Sequence, residues 1–133
     1  MSHANVEIAR RVIDAFNRRN LDAYDDLFTP DFEWFPAFPG TVEGDGYLGR
    51  EGTERYLEEI SDTWGEFRAI AEEYRDLGDR VLLLGRFEGR GKGSGVPVDA
   101  QLGTLYDFRD GKMLRSRVYL DHGEALRAAG LSE

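Results

Sequence analysis

The dipeptide Asp110-Gly111 stands between two alternating runs, residues 96–109 and 112–121, and constrains this chain more than any other feature. Both central residues of a type I′ turn need positive φ, which Asp and Gly tolerate, so a two-residue hairpin is predicted there. A loop of fixed length also fixes register. Phe108 then faces Met113, Tyr106 faces Arg115, Thr104 faces Arg117, Leu102 faces Tyr119 and Ala100 faces Asp121. Directly opposed residues share a face. One face of the ribbon therefore carries Phe108, Tyr106, Leu102, Met113 and Tyr119 with Arg117 and Asp121. The other carries Leu105, Leu114, Val118 and Leu120 with Gly103 and Ser116. Neither is the plain polar side of a one-sided sheet, so both need cover. Helices can cover one. A second subunit is expected over part of the other, which makes the protein a homodimer.

The helices come from the first half of the chain. Residues 4–19 place Val6, Ala9, Val12, Ile13 and Phe16 at a helical period. Asn20 can cap a second short helix over residues 21–28, which Thr29-Pro30 stops because the residue before proline disfavours helical geometry. Residues 32–35 read as a strand ending at Pro36, residues 37–49 as a loop, and residues 50–64 as a helix with Tyr56, Leu57, Ile60 and Trp64 on one face. Strands follow at 67–76 and 81–89, and a short helix at 123–129 ends at Gly130. Helices first and an antiparallel meander second give an α+β class. With 133 residues and no repeat or linker, residues 1–133 read as a single domain.

Composition removes several functions. The formal charge of −9, from 17 basic and 26 acidic side chains, repels phosphate backbones and anionic lipid, so neither nucleic acid nor membrane is an expected partner. No apolar run approaches the ~20 residues of a membrane span. Met1-Ser2-His3-Ala4-Asn5 is not followed by the apolar stretch of a secretory signal. The absence of cysteine excludes disulfides, thiolate metal sites and cysteine nucleophiles, and suits a cytoplasmic location. Two histidines suggest no metal-ligand cluster. The stretch from Gly89 to Gly95 is not a phosphate loop, because Gly93 follows Gly91-Lys92 where Ser or Thr is needed. No metal and no cofactor is expected.

Three segments carry a family resemblance. Ala15-Phe16-Asn17-Arg18-Arg19-Asn20-Leu21-Asp22 with Leu27-Phe28-Thr29-Pro30-Asp31-Phe32-Glu33-Trp34 is similar to the opening of nuclear transport factor 2-like domains. Tyr47-Leu48-Gly49-Arg50-Glu51-Gly52 resembles the start of their third helix. Phe108-Arg109-Asp110-Gly111-Lys112, continuing to Tyr119-Leu120-Asp121 and Glu124-Ala125-Leu126, resembles the SnoaL-like, polyketide cyclase-like branch. The resemblance covers essentially the whole chain. It implies a cone-shaped α+β roll, with N-terminal helices packed on a curved antiparallel sheet that encloses a pocket. This fold hosts many chemistries, so it does not fix a reaction.

For a SnoaL-like protein the resemblance implies a cofactor-independent isomerase, cyclase or hydratase acting on a small apolar or aromatic molecule. Asp121 is then the general acid/base, with Arg117 or Tyr119 stabilising the developing oxyanion. The plainer role for Asp121 is a cap, since Asp121-His122-Gly123-Glu124 fits a capping box. Trp34, Phe16, Tyr24, Tyr56, Ile60 and Leu102 are the candidate ligand-binding residues, against a plain role as core. Arg86-Phe87-Glu88 with Asp121 resembles the water-positioning set of limonene epoxide hydrolase, with Glu in place of Asp; an exposed cross-strand charge pair is the favoured reading. Ketosteroid isomerase chemistry is not expected, because Val12 and Pro36 stand where those enzymes place a tyrosine and a general-base aspartate. A non-catalytic ligand-binding protein and a dimeric scaffold are the alternatives to an enzyme.

Overall fold

The computed structural model describes residues 2–35 and 47–131. In chain order these form α1 (Ser2–Arg18), a 3₁₀ turn (Leu21–Tyr24), β1 (Phe28–Phe35), β2 (Tyr47–Leu48), α2 (Gly49–Thr63), β3 (Trp64–Asp76), β4 (Arg80–Gly91), β5 (Pro97–Arg109), β6 (Lys112–Tyr119) and α3 (His122–Ala128). The strands make one six-stranded sheet in the order β2-β1-β6-β5-β4-β3. Every neighbouring pair is antiparallel except β1 and β6, which run parallel. The expected α+β roll, helices on a curved and mostly antiparallel sheet, is what forms. No helix of the described residues is long and apolar enough to cross a membrane.

Two segments differ from expectation. The helix expected over residues 21–28 shortens to one 3₁₀ turn, with the Asn20 side chain accepting from the Ala23 N–H at 3.3 Å. Strand β1 begins at Phe28 and runs through Thr29-Pro30. Pro30 lacks an N–H, and it lies in the irregular stretch between the Phe28–Met113 and Glu33–Arg115 pairings, where a ladder bond is not required. The loop expected over residues 37–49 ends earlier, because Tyr47 and Leu48 pair with Trp34 and Glu33 as β2.

The sheet is buried on both sides over part of its area. Helix α1 contributes Ala9, Val12, Ala15 and Phe16 to the inner core. Asn17 docks its end on β3, its amide donating to Ala69 O and its carbonyl accepting from Ala69 N, both at 2.9 Å. The run Val81-Leu82-Leu83-Leu84 is buried throughout, with Val81 and Leu83 in the inner core and Leu82 and Leu84 in an outer cluster. Helix α3 lies over that outer cluster, packing Ala125, Leu126 and Ala129 on Leu82, Leu84 and Leu105. Gly103 permits the close approach: a Cβ there would stand 2.5 Å from the Ala125 Cβ.

The hairpin forms at the expected place, with φ of 52° at Asp110 and 79° at Gly111. Phe108 pairs with Met113, as read from the sequence. Beyond that pair the register departs from expectation. Asp107 pairs with Arg115, leaving Leu114 as an extra residue, and Tyr106–Ser116, Leu105–Arg117, Thr104–Val118 and Gly103–Tyr119 follow. One extra residue reverses the parity of everything after it. Ser116 and Val118 therefore turn inward, and Arg117 and Tyr119 turn outward.

The physical reason lies in the arginines. A straight register would put Arg115 and Arg117 into the apolar interior beside Tyr106 and Leu102, and an unpaired buried charge costs several kcal/mol or more. The bulge instead sets Arg115 between Glu33 at 3.6 Å and Asp107 at 3.5 Å. Arg117 lies outside, over the Phe35 ring at 5.4 Å. Helix α3 covers Leu105 on that outer face.

Candidate functional site

The inner face of the sheet, α1 and α2 enclose a cavity. Helix α1 lines it with Val12, Ile13 and Phe16, β1 with Trp34, α2 with Tyr56, and β3 with Phe67 and Ala69. Strand β5 adds Leu102, Thr104 and Tyr106, and β6 adds Ser116 and Val118. Its free volume is about 30 Å³, close to one water molecule's share of the liquid. Aromatic rings build the walls: Phe16 meets Phe67 edge-on with centroids 5.7 Å apart, and Trp34 lies 5.0 Å from Tyr56.

Polar atoms in and around this cavity are few and specific. Trp34 Nε1 donates to Thr53 Oγ1 at 2.7 Å, and Thr53 in turn donates to Gly49 O at 2.9 Å, which locks the indole. Ser116 Oγ and Tyr24 Oη are buried and have no hydrogen-bond partner. Burial pushes the Tyr24, Tyr56 and Tyr106 hydroxyls well above the ordinary tyrosine range. All three are therefore neutral at any physiological pH. Arg19 stands against the Phe16 and Phe67 part of the wall. Its guanidinium lies 4.7 Å from the Phe16 ring centroid and donates to Phe16 O and Phe67 O. Burial lowers its pKa, outweighing the opposite effect of the nearby Tyr24 and Tyr56 hydroxyls.

The residues expected to bind a ligand divide in two. Phe16, Trp34, Tyr56 and Leu102 line the cavity. Tyr24 sits behind the wall, stacked on Phe28 at 4.7 Å and edge-on to Trp34 at 5.9 Å, and Ile60 is core without facing the cavity. Sequence reasoning missed Phe67, Ala69, Thr104, Ser116 and Val118 as lining residues, and read Val12, Ile13 and Tyr106 as buried or inward-facing without naming them as ligand-binding. Thr104 was legible from its two-residue spacing to Leu102 and Tyr106, whereas Ser116 and Val118 were hidden by the bulge.

The three residues expected to carry acid–base chemistry do not meet at this cavity. Asp121 is exposed and caps α3, its side chain accepting from the Gly123 N–H at a long 3.4 Å. Arg117 is exposed. Tyr119 packs against the outer cluster beneath α3. The correction follows from Leu114: the inserted residue turns Arg117 and Tyr119 to the outer side and leaves the cap as the geometric role of Asp121. Its neighbour His122 donates its backbone N–H to Gln101 Oε1 at 2.9 Å, and its ring Nε2 lies 2.7 Å from Gly85 O.

Arg86 and Glu88 share a face, as alternation requires, and that face is the outer one. Arg86 pairs with Glu88 at 2.8 Å, Asp99 at 2.9 Å and Glu72 at 3.6 Å. A shallow concavity of about 750 Å³ lies nearby, bordered by Glu66, Arg68, Glu88, Arg90 and Asp99. Its Glu88 and Asp99 are already paired by arginine. Asp121 is not among the ion-pair partners of Arg86, which are Glu88, Asp99 and Glu72. Pro36, the other position tied to ketosteroid isomerase chemistry, lies outside the described residues. Val12 lines the cavity and offers no proton.

The comparisons with known proteins agree with this fold. No curated protein matches the chain significantly. Among solved structures, TerC co-crystallised with polyporic acid superposes with a TM-score of 0.79 at 24% identity, covering 90% of this chain and 92% of that one. A protein described as a SnoaL-like polyketide cyclase from Jannaschia sp. CCS1 gives 0.77 at 21% identity, covering 91% and 88%. A protein of ketosteroid isomerase-like fold from Catenulispora acidiphila DSM 44928, in complex with trimethylamine, gives 0.74 at 21% identity, covering 94% and 93%. At these identities the likeness is one of fold. The sequence profile of the SnoaL-like domain matches residues 9–116, most of the chain. With that match and the α+β roll around an inner cavity, the chain belongs to the SnoaL-like domain family of the nuclear transport factor 2-like superfamily.

Proposed function

We propose that this protein binds a small, neutral, largely apolar or aromatic molecule in its inner cavity, and that Asp121 takes no part in chemistry there. One observation carries the reading: no described residue lining the cavity ionises near neutral pH. General acid–base catalysis needs a group whose pKa lies near the working pH, and hydroxyls held far above it do not qualify. Structural relatives crystallised with polyporic acid and with trimethylamine support the view that this fold accepts small molecules.

The free volume sets the terms of binding. About 30 Å³ does not hold an organic ring, so a ligand enters by displacing side chains, with Phe16 and Phe67 the large ones beside Arg19. Burying a one-ring ligand of roughly 150–250 Å² at ~25 cal/mol per Å² yields about 4–6 kcal/mol before side-chain displacement costs. That corresponds to dissociation constants from about 1 mM to tens of micromolar at best.

Toluene, phenol and acetophenone are suitable one-ring probes, with thermal melting and Trp34 fluorescence as readouts. Saturable binding should raise the melting temperature of the wild type and of Asp121→Asn alike, and Val118→Phe, which fills the cavity, should lose it. Absence of any shift in the wild type at millimolar probe would defeat the binding reading, and loss of response in Asp121→Asn alone would restore the aspartate. As a homodimer, the protein would have to associate through the charged outer surface, since α3 occupies the apolar part. Sedimentation equilibrium at micromolar concentration decides between one copy and two.

A further inference from the structure

We infer that Ser116 selects the ligand, by giving one hydrogen bond to a neutral oxygen atom such as a ketone carbonyl. The inference rests on the inner cavity being a binding site. Ser116 is 1% exposed, and its hydroxyl has no partner in the protein. Its position is set from both sides, because it pairs with Trp34 on β1 and with Tyr106 on β5. Two ladders fix its backbone, so its Cβ direction into the cavity does not depend on side-chain packing. A serine hydroxyl turns freely about its C–O bond and can donate to any acceptor within reach.

The surroundings restrict what that acceptor is. Val118, Leu102 and Phe67 offer only apolar surface, the Trp34 N–H is already committed to Thr53, the Tyr106 and Thr104 hydroxyls are bonded to each other, and the Tyr56 hydroxyl is neutral like that of Ser116. A ligand anion would find no free cation, since the nearby Arg19 guanidinium already donates to two backbone carbonyls. A ligand cation would find no carboxylate among the described lining residues. What remains is a neutral molecule with an oxygen at the Ser116 end and an apolar body against the rings.

Acetophenone and α-methylstyrene make the test, because they share shape and differ in whether a carbonyl oxygen or a methylene group is presented. Isothermal titration on the intact protein compares both probes in the wild type and in Ser116→Ala. The ketone-to-hydrocarbon affinity ratio should fall about tenfold in the variant, the typical worth of one hydrogen bond, with hydrocarbon affinity retained. An unchanged ratio would overturn the role of Ser116 while leaving the binding site standing. Failure of both probes to bind the wild type would instead remove the binding reading beneath it. Ser116→Cys, which keeps the volume and weakens the donor, should give an intermediate ratio and serves if the alanine variant does not fold.

Discussion

Strand β4 passes through two chemical environments at once. Towards α1 and α2 it presents Val81, Leu83 and Phe87, all within the apolar core. On the other side Leu82 and Leu84 lie under α3, and further along Arg86 and Glu88 join a network with Glu72, Asp99 and Arg68. Neighbouring strands repeat the division. The inner side holds rings, aliphatic groups and neutral hydroxyls with the half-buried Arg19 at its edge, while the outer side carries ion pairs, including Arg115 between Glu33 and Asp107. The difference teaches that charge in this molecule is kept where water can screen it. Among the described residues, those lining the enclosed space carry no carboxylate, histidine, lysine or arginine.

The comparison can be broken by perturbing each side. Leu83→Ala on the inner side should cost about 2–5 kcal/mol in urea unfolding, because a fully buried side chain leaves a void that its neighbours only partly fill. High pH attacks the same side. Tyr24, Tyr56 and Tyr106 have folded pKa values raised above the unfolded value of ~10, so the folded state retains protons that the unfolded state releases. Their contribution is full below about pH 10 and is lost above it, by about 1.4 kcal/mol per pH unit for each tyrosine. Unfolding measured from pH 8 to 11 should show that decline, and a flat profile would contradict the burial of the hydroxyls.

The outer side should respond less. Asp121→Ala is expected to lower stability by about 1 kcal/mol through loss of the α3 cap, whereas Asn caps as well as Asp and should restore it. Melting of the two variants side by side separates a cap from a catalyst, for which Asn and Ala fail alike. Arg86→Ala should have the smallest effect, within about 1 kcal/mol and shrinking in high salt, since its side chain and its partners reach solvent. A loss comparable with that of Leu83→Ala would show that the ion network, too, holds the sheet.

The site was legible where it depended on local pattern. Helical spacing put Phe16 and Tyr56 on inward faces, and the two-residue period put Leu102 there, so these residues were found from the chain alone. Ser116 was assigned to the wrong face for a local reason as well: parity was counted from the turn, and one inserted residue inverts such a count. A warning was available, because the straight register sent Arg115 and Arg117 towards the apolar side. What the chain did not reveal was the relief, since Glu33 belongs to a distant strand and reaches Arg115 only through the parallel β1–β6 pairing.

By itself the amino-acid sequence determined the order of the long helices and the meander strands, the positive-φ turn at Asp110-Gly111 and the first pair beside it. These rest on short-range sterics and periodicity, which neighbouring residues impose on one another. Only the tertiary structure decided the bulge at Leu114, the cover of Leu82 and Leu84 by α3, and the identity of the hydroxyl left facing the cavity. Those outcomes balance the cost of burying charge against contacts between segments far apart in the chain, a sum that no local window contains.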